Sequence, residues 1–208
     1  MKRELKIKKH IIGLSSIRSM ARISMRLVFS LLIVLFSHNL WGQHLNMFGI
    51  PLNGSIDSFT TKLVSKGLKV DRKFNKQLPN GVRAFKGSFS GYFASQILIF
   101  YDPRTKTVFK GTVNFTDLSD PTLLEMYGDL RSKIHAKYEN ILYFDDKNDD
   151  GFPKSEINVY KPKTDTCLGV INMGILVMKV YPFSKSLYIS YEDNINVDKF
   201  TKQSSDDL

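Results

Sequence analysis

The residues best spaced for chemistry are Asp146-Lys147-Asn148-Asp149-Asp150-Gly151. Oxygen ligands at alternate positions, followed by a glycine for a sharp turn, form the first half of a calcium loop. Asp146, Asn148 and Asp150 are therefore the candidate metal ligands, and calcium the candidate cofactor. The second half departs from the pattern: Ile157 stands where a bidentate glutamate belongs, Glu156 falls one residue early, and Phe152-Pro153 follow the glycine. A solvated acidic turn between two strands would use the same residues, because Asp, Asn and Gly dominate turns for reasons of backbone geometry.

A catalytic inventory is thin. Beyond residue 42 the only histidines are His44 and His135. A hydrolase would have to be built on His135 with carboxylates drawn from Asp117, Asp120, Glu125 and Asp129. Those four fit better as helix-start charges and exposed faces. No His-Glu-x-x-His, phosphate-cradling glycine loop, Cys-x-x-Cys or Gly-x-Ser-x-Gly occurs. Cys167 is the sole cysteine, so no intramolecular disulfide can form.

The strongest pattern is an export signal. Leu27 to Phe36 is an apolar run behind Arg26, followed by Ser37, His38, Asn39 and Gly42. A run this short falls well below the roughly 20 residues that a bilayer-spanning helix needs, so it reads as a leader cleaved after Gly42 with no stable membrane span left behind. The basic stretch ahead of it is overlong for such a leader, and Met20 and Met25 are alternative starts. The expected location is the periplasm or beyond.

Charge follows from that reading. The whole chain carries 30 Lys+Arg against 20 Asp+Glu, a formal +10. Residues 1–42 hold eight of the basic residues and one acidic one, leaving 22 against 19, or +3, on the remaining 166 residues. So small an excess creates no field to attract phosphate backbones, and nucleic acid is excluded as a partner.

Periodicity supplies the elements. Ser55 caps a helix with an apolar stripe at Ile56, Phe59, Leu63 and Val64, stopped at Lys66-Gly67. Leu68, Val70 and Phe74 alternate as in a strand, and a turn follows at Leu78-Pro-Asn-Gly81. Val82 to Phe89, Tyr92 to Tyr101 and Thr107 to Phe115 read as strands, the last two joined by Asp102 to Lys106. Asp120-Pro121 starts a second helix with Leu123, Tyr127, Leu130, Ile134 and Tyr138 on one stripe. Strands at Ile141 to Phe144, around Ile157 to Tyr160, Leu168 to Val180 and Ser186 to Tyr191 complete the pattern, and 194–208 reads as a polar tail that frays.

The hairpin at 97–109 rhymes with that at 175–188. Residues 43–193 thus read either as one α+β domain or as two helix-plus-strands repeats, 49–116 and 117–193. In either case the fold class is α+β, with antiparallel sheet and two helices packed on one face.

From Gly49-Ile-Pro-Leu-Asn-Gly-Ser-Ile-Asp-Ser-Phe59 through Leu63-Val-Ser-Lys-Gly67, the chain resembles a family of small exported proteins of Gram-negative gut anaerobes that open similarly after the signal peptide. That resemblance implies location and fold and assigns no activity. The expected function is a non-enzymatic binding or interaction module, recognising an unidentified protein partner in the cell envelope through a sheet face or an unpaired strand edge. The alternatives are a small periplasmic hydrolase centred on His135 and a calcium-stabilised surface protein.

Overall fold

A computed structural model describes residues 44–178 and 184–205, which form an α+β fold dominated by antiparallel sheet. The leader and its cleavage point after Gly42 lie outside the described residues.

The described chain begins inside the core. Strands β1 (Asn46–Met47) and β2 (Ile50–Pro51) make a two-residue-wide hairpin whose Leu45, Met47, Ile50 and Leu52 are buried. Helix α1 (Ile56–Ser65) follows, with the Ser55 hydroxyl accepting from Ser58 N. Its buried stripe is Ile56, Phe59 and Leu63. Val64, expected in that stripe, is 49% exposed, because the hundred-degree helical step carries it past the edge of the core.

Strand β3 (Lys69–Val70) ends sooner than its alternation predicts. The Asp71 carboxylate accepts the Phe74 N–H and turns the chain into the short helix α2 (Arg72–Asn75), so Phe74 is helical and not in a strand. Three long strands follow, β4 (Val82–Phe89), β5 (Tyr92–Tyr101) and β6 (Val108–Thr116), then helix α3 (Asp120–Lys137). Strands β7 (Ile141–Lys147), β8 (Pro153–Tyr160), β9 (Cys167–Met178) and β10 (Ser184–Asp193) complete the sheet.

The sheet has eight strands in the order β3-β4-β5-β6-β10-β9-β8-β7, every neighbouring pair antiparallel. Two four-strand meanders, one after α1 and one after α3, meet along β6 and β10, where Val113 faces Ile189 and Phe115 faces Leu187. The strand order is symmetric about that central pair.

One face of the sheet is the core. Ile97, Val113, Ile171 and Ile189 are buried there, whereas the alternating Gln96, Thr112, Asn172 and Glu192 are only half-buried. The buried stripes of α1 and α3 belong to the same apolar cluster as those strand residues. Two strand glycines make room for the N-terminal segment: a Cβ at Gly111 would collide with Met47 Sδ, and one at Gly169 would crowd Leu45 and the Glu192 carbonyl.

The two sheet edges differ. Asn75 closes one, donating to Ala84 O at 2.9 Å and accepting from Ala84 N at 2.8 Å. At the other, β7 exposes Leu142 and Phe144.

Residues 194–205, expected to fray, form helix α4 (Asn194–Ser205). Polarity misled the reading, because the residues that hold α4 are themselves polar. Buried Asp193 accepts from Asn196 N at 3.1 Å as a helix cap, and from Leu45 N at 2.9 Å. Asn196 Nδ2 reaches Leu52 O at 2.8 Å and Val108 O at 3.2 Å. Further along, the Phe200 ring stacks on Phe109 at 4.8 Å.

Candidate functional site

Two tight turns and one helix enclose a cleft. The Phe48-Gly49 loop joins β1 to β2, with φ of 55° and 69°. The Ser90-Gly91 loop joins β4 to β5, with φ of 54° and 95°. Each is the positive-φ pair of a type I′ hairpin turn, whose twist suits the flanking strands and which favours Asn or Gly at both positions. Glycine supplies the second position in both turns. Phe48 and Ser90 occupy the first against their steric preference, a strain of the kind that collects at functional sites.

Both strained residues line one cavity of about 290 Å³, together with Gly49, Phe89, Leu130, Lys133, Ile134, Lys137 and Tyr191. Aromatic rings form its wall: Phe48 meets Phe89 edge-on at 5.1 Å, and Phe89 meets Tyr191 at 6.1 Å. Helix α3 contributes Leu130 and Ile134 as floor, because three-to-four-residue spacing puts them on its buried stripe.

Lys133 and Lys137, one turn apart on α3, hold the two loops. Lys133 Nζ donates to Ser90 O at 3.1 Å and pairs with Asp129 at 2.7 Å. Lys137 Nζ donates to Asn46 O at 2.9 Å, a carbonyl that also accepts from the Tyr138 hydroxyl at 2.8 Å. The surroundings desolvate the Lys137 ammonium and pull its pKa below the ordinary lysine value. Burial pushes the Tyr138 and Tyr191 hydroxyls far up, so both stay neutral. The result is an apolar slot, rimmed by ammonium groups, of the size and lining that small-molecule sites share.

The residues singled out by type go elsewhere. Asp146 pairs with Lys154 across the β7–β8 ladder at 3.0 Å, which holds its carboxyl below the usual range. Asn148 Oδ1 accepts from Asp150 N and Phe152 N, and its Nδ2 donates to Ile175 O at 2.7 Å. Residues 148–152 are the turn between two strands. Among the described residues no group of three His, Cys, Asp or Glu side chains is placed to hold a metal.

His135 lies flat on Tyr143, ring centroids 5.8 Å apart, and among the described residues it meets neither a carboxylate nor a hydroxyl. Of the carboxylates considered with it, Asp120 pairs with Lys185, Asp129 with Lys133 and the Tyr92 hydroxyl, and Asp117 accepts from Thr116. Glu125 is exposed on α3. His44 is held 3.1 Å from buried Asp193.

A hydroxyl relay does link α3 to the sheet: Tyr127 contacts Ser155, which donates to Asp145, which in turn pairs with Arg131 at 2.6 Å. The guanidinium and the serine hydroxyl hold the Asp145 carboxyl below the usual range. The relay fastens α3 to β7 and β8. Cys167 is half-buried at the start of β9.

Sequence reasoning passed over the cleft. Its signals were the two X-Gly dipeptides after apolar residues, Phe48-Gly49 and Ser90-Gly91, and the Lys133/Lys137 pair flanking the buried Ile134.

Among the described residues no helix is long and apolar enough to cross a membrane. Comparison with protein-family models, with characterised proteins and with solved structures returns no match, so the geometry of the cleft carries the functional reading.

Proposed function

We propose that the protein is an exported, non-enzymatic binding module and that the cleft between α3 and the Phe48 and Ser90 turns is its binding site. The observation that carries this is the convergence of two strained turn residues on one aromatic-lined cavity. Strain of this kind persists only where the surrounding structure over-determines it.

Export is supported by the apolar run at Leu27 to Phe36 and by a core that begins at Leu45. A mature start later than Leu45 would remove a fully buried leucine. With cleavage after Gly42, amino-terminal sequencing of the exported form should read Gln43 first; an unprocessed chain in the cytoplasmic fraction would contradict export. The two meanders, one following α1 and one following α3, support a duplicated helix-plus-strands unit.

A neutral apolar dye, N-phenylnaphthylamine, tests the site. It should bind the folded protein, and Ile134→Phe, which fills the cleft floor, should weaken binding by about tenfold, the equivalent of 1.4 kcal/mol. Undiminished binding in that variant would place the site elsewhere. A second reading, recognition of a protein partner along β7, is favoured by exposed Leu142 and Phe144 on that edge strand. Replacing both by threonine would abolish capture of such a partner while leaving dye binding intact.

A further inference from the structure

The eight-stranded sheet has one open edge. Among the described residues no strand pairs with the outer side of β7, whereas the far edge is the two-residue strand β3, beside which Asn75 and the Asp71 N–H take the backbone groups of Ala84. An open strand of seven residues presents a row of unpaired donors and acceptors to any strand that arrives.

The ladder fixes which of those groups are free. Tyr160 N donates to Asn140 O at 2.9 Å and Asn148 N to Phe152 O at 2.9 Å, so the even-numbered residues of β7 turn their backbone groups toward β8. The N–H and C=O groups of Ile141, Tyr143 and Asp145 therefore point outward. Lys147 N–H, next in that series, is already taken by Asp146 Oδ1 at 2.8 Å. Side chains alternate with the same period: Tyr143 meets Arg131 and His135 of α3, while Leu142 and Phe144 stand on the open face, 47% and 52% exposed.

We propose that β7 pairs antiparallel with β7 of a second copy of this chain, about a two-fold axis through Tyr143, giving a dimer with one continuous sheet. This takes up the second reading, that β7 is a recognition edge, and names the partner; the cleft is not involved. With Tyr143 opposite Tyr143 and Ile141 opposite Asp145, the outward groups of these three residues satisfy one another and Lys147 N–H is not called upon. The same register sets Leu142 opposite Phe144 twice, as non-hydrogen-bonded pairs, the kind whose side chains approach most closely. Each copy thus covers the exposed apolar residues of the other. The ends bring exposed Glu139 toward Lys147 of the second copy, and neither has an ion partner of its own among the described residues. Asp145 and Asp146, the like charges at this edge, are already paired with Arg131 and Lys154. Centring on Phe144 instead would require Lys147 N–H, and centring on Leu142 would set Phe144 opposite Asn140. Because the other edge is closed, the pairing stops at two copies.

Sedimentation equilibrium of the full exported chain should show monomer and dimer exchanging with concentration, since a contact one strand long is small among specific interfaces. Phe144→Thr should raise the dimer dissociation constant at least about tenfold. Threonine suits a strand and the site is half exposed in the single copy, so the fold should survive, as circular dichroism will check. Oxidative cross-linking reads the register. In chains carrying Cys167→Ser, a mixture of Leu142→Cys and Phe144→Cys should form the mixed disulfide in preference to either variant alone, because a non-hydrogen-bonded pair sets its Cα atoms about 4.5 Å apart, within disulfide reach.

A monomer at every concentration, or a dimer indifferent to Phe144→Thr, would overturn the proposal. So would cross-linking in which Leu142→Cys or Phe144→Cys joins mainly to itself, which would centre the pairing on another residue. A monomeric chain that instead captures a different protein through Leu142 and Phe144 would overturn the dimer and leave β7 standing as a recognition edge.

Discussion

At the scale of single residues, the chain accepts local strain and removes side chains where two parts must meet. Ser90 sits at φ 54° in a turn that favours Asn-Gly. Ser90→Asn is expected to raise the urea midpoint by the equivalent of about 0.5 kcal/mol, since asparagine tolerates the left-handed region that serine resists; a lower midpoint would show that the serine hydroxyl is needed. Gly111 shows the opposite economy. Its missing Cβ is the space taken by Met47, so Gly111→Ala should destabilise the fold by about 1–3 kcal/mol through overpacking, read from the same unfolding curve. The sequence displayed Gly111 among the apolar residues of one strand face, but nothing local to β6 announced that a segment more than sixty residues upstream would lie on it. That kind of contact is invisible to periodicity.

At the scale of elements, the molecule is fastened by polar links that join segments distant in sequence. Asp193 and Asn196 clamp the N-terminal segment and α4 together through Leu45, Leu52 and Val108. Asn196→Ala leaves the Leu52 and Val108 carbonyls short of a buried donor, so it should cost about 1–3 kcal/mol. Amide exchange should rise together in the N-terminal segment and α4; a rise confined to α4 would mean that the two are held independently. The Asp145 link behaves differently with pH. Because Arg131 and Ser155 lower its pKa, its contribution is full above the unfolded value of 3.8 and is lost as pH falls through the lower folded value. Asp145→Asn should therefore narrow its stability gap to the wild type in strong acid, with a gap under about 1 kcal/mol at neutral pH since the carboxylate is half exposed. Burial raises Asp193 instead, so its ionisation works against folding as pH climbs from the unfolded value through the folded one. Most elements were legible because their signals are local: alternation marked the strands Val82–Phe89 and Tyr92–Tyr101, and Ser55 and Asp120-Pro121 marked the helix starts. Helix α4 was not, since its support comes from a cap residue and an asparagine whose partners lie at the other end of the chain.

At the scale of the whole molecule, two meanders joined along β6 and β10 make a sheet with one buried face and one half-open face. The N-terminal hairpin lies against the buried side, where Leu45 and Met47 fill the space left by Gly169 and Gly111. The cleft is a consequence of that arrangement. It opens where the first hairpin turn, the β4–β5 turn and the C-terminal half of α3 converge, three elements that no motif connects in sequence. The acidic stretch at Asp146 to Asp150 drew notice by its composition, whereas the cleft residues are ordinary lysines, aromatics and glycines that become a site only by assembly. Backbone amide shifts, followed while the full exported chain is titrated with N-phenylnaphthylamine, test the central claim most directly. The account predicts the largest changes at Phe48, Gly49, Ser90, Gly91 and the Lys133 to Lys137 turn; changes centred on Leu142 and Phe144, or spread evenly over the half-open face of the sheet, would contradict it.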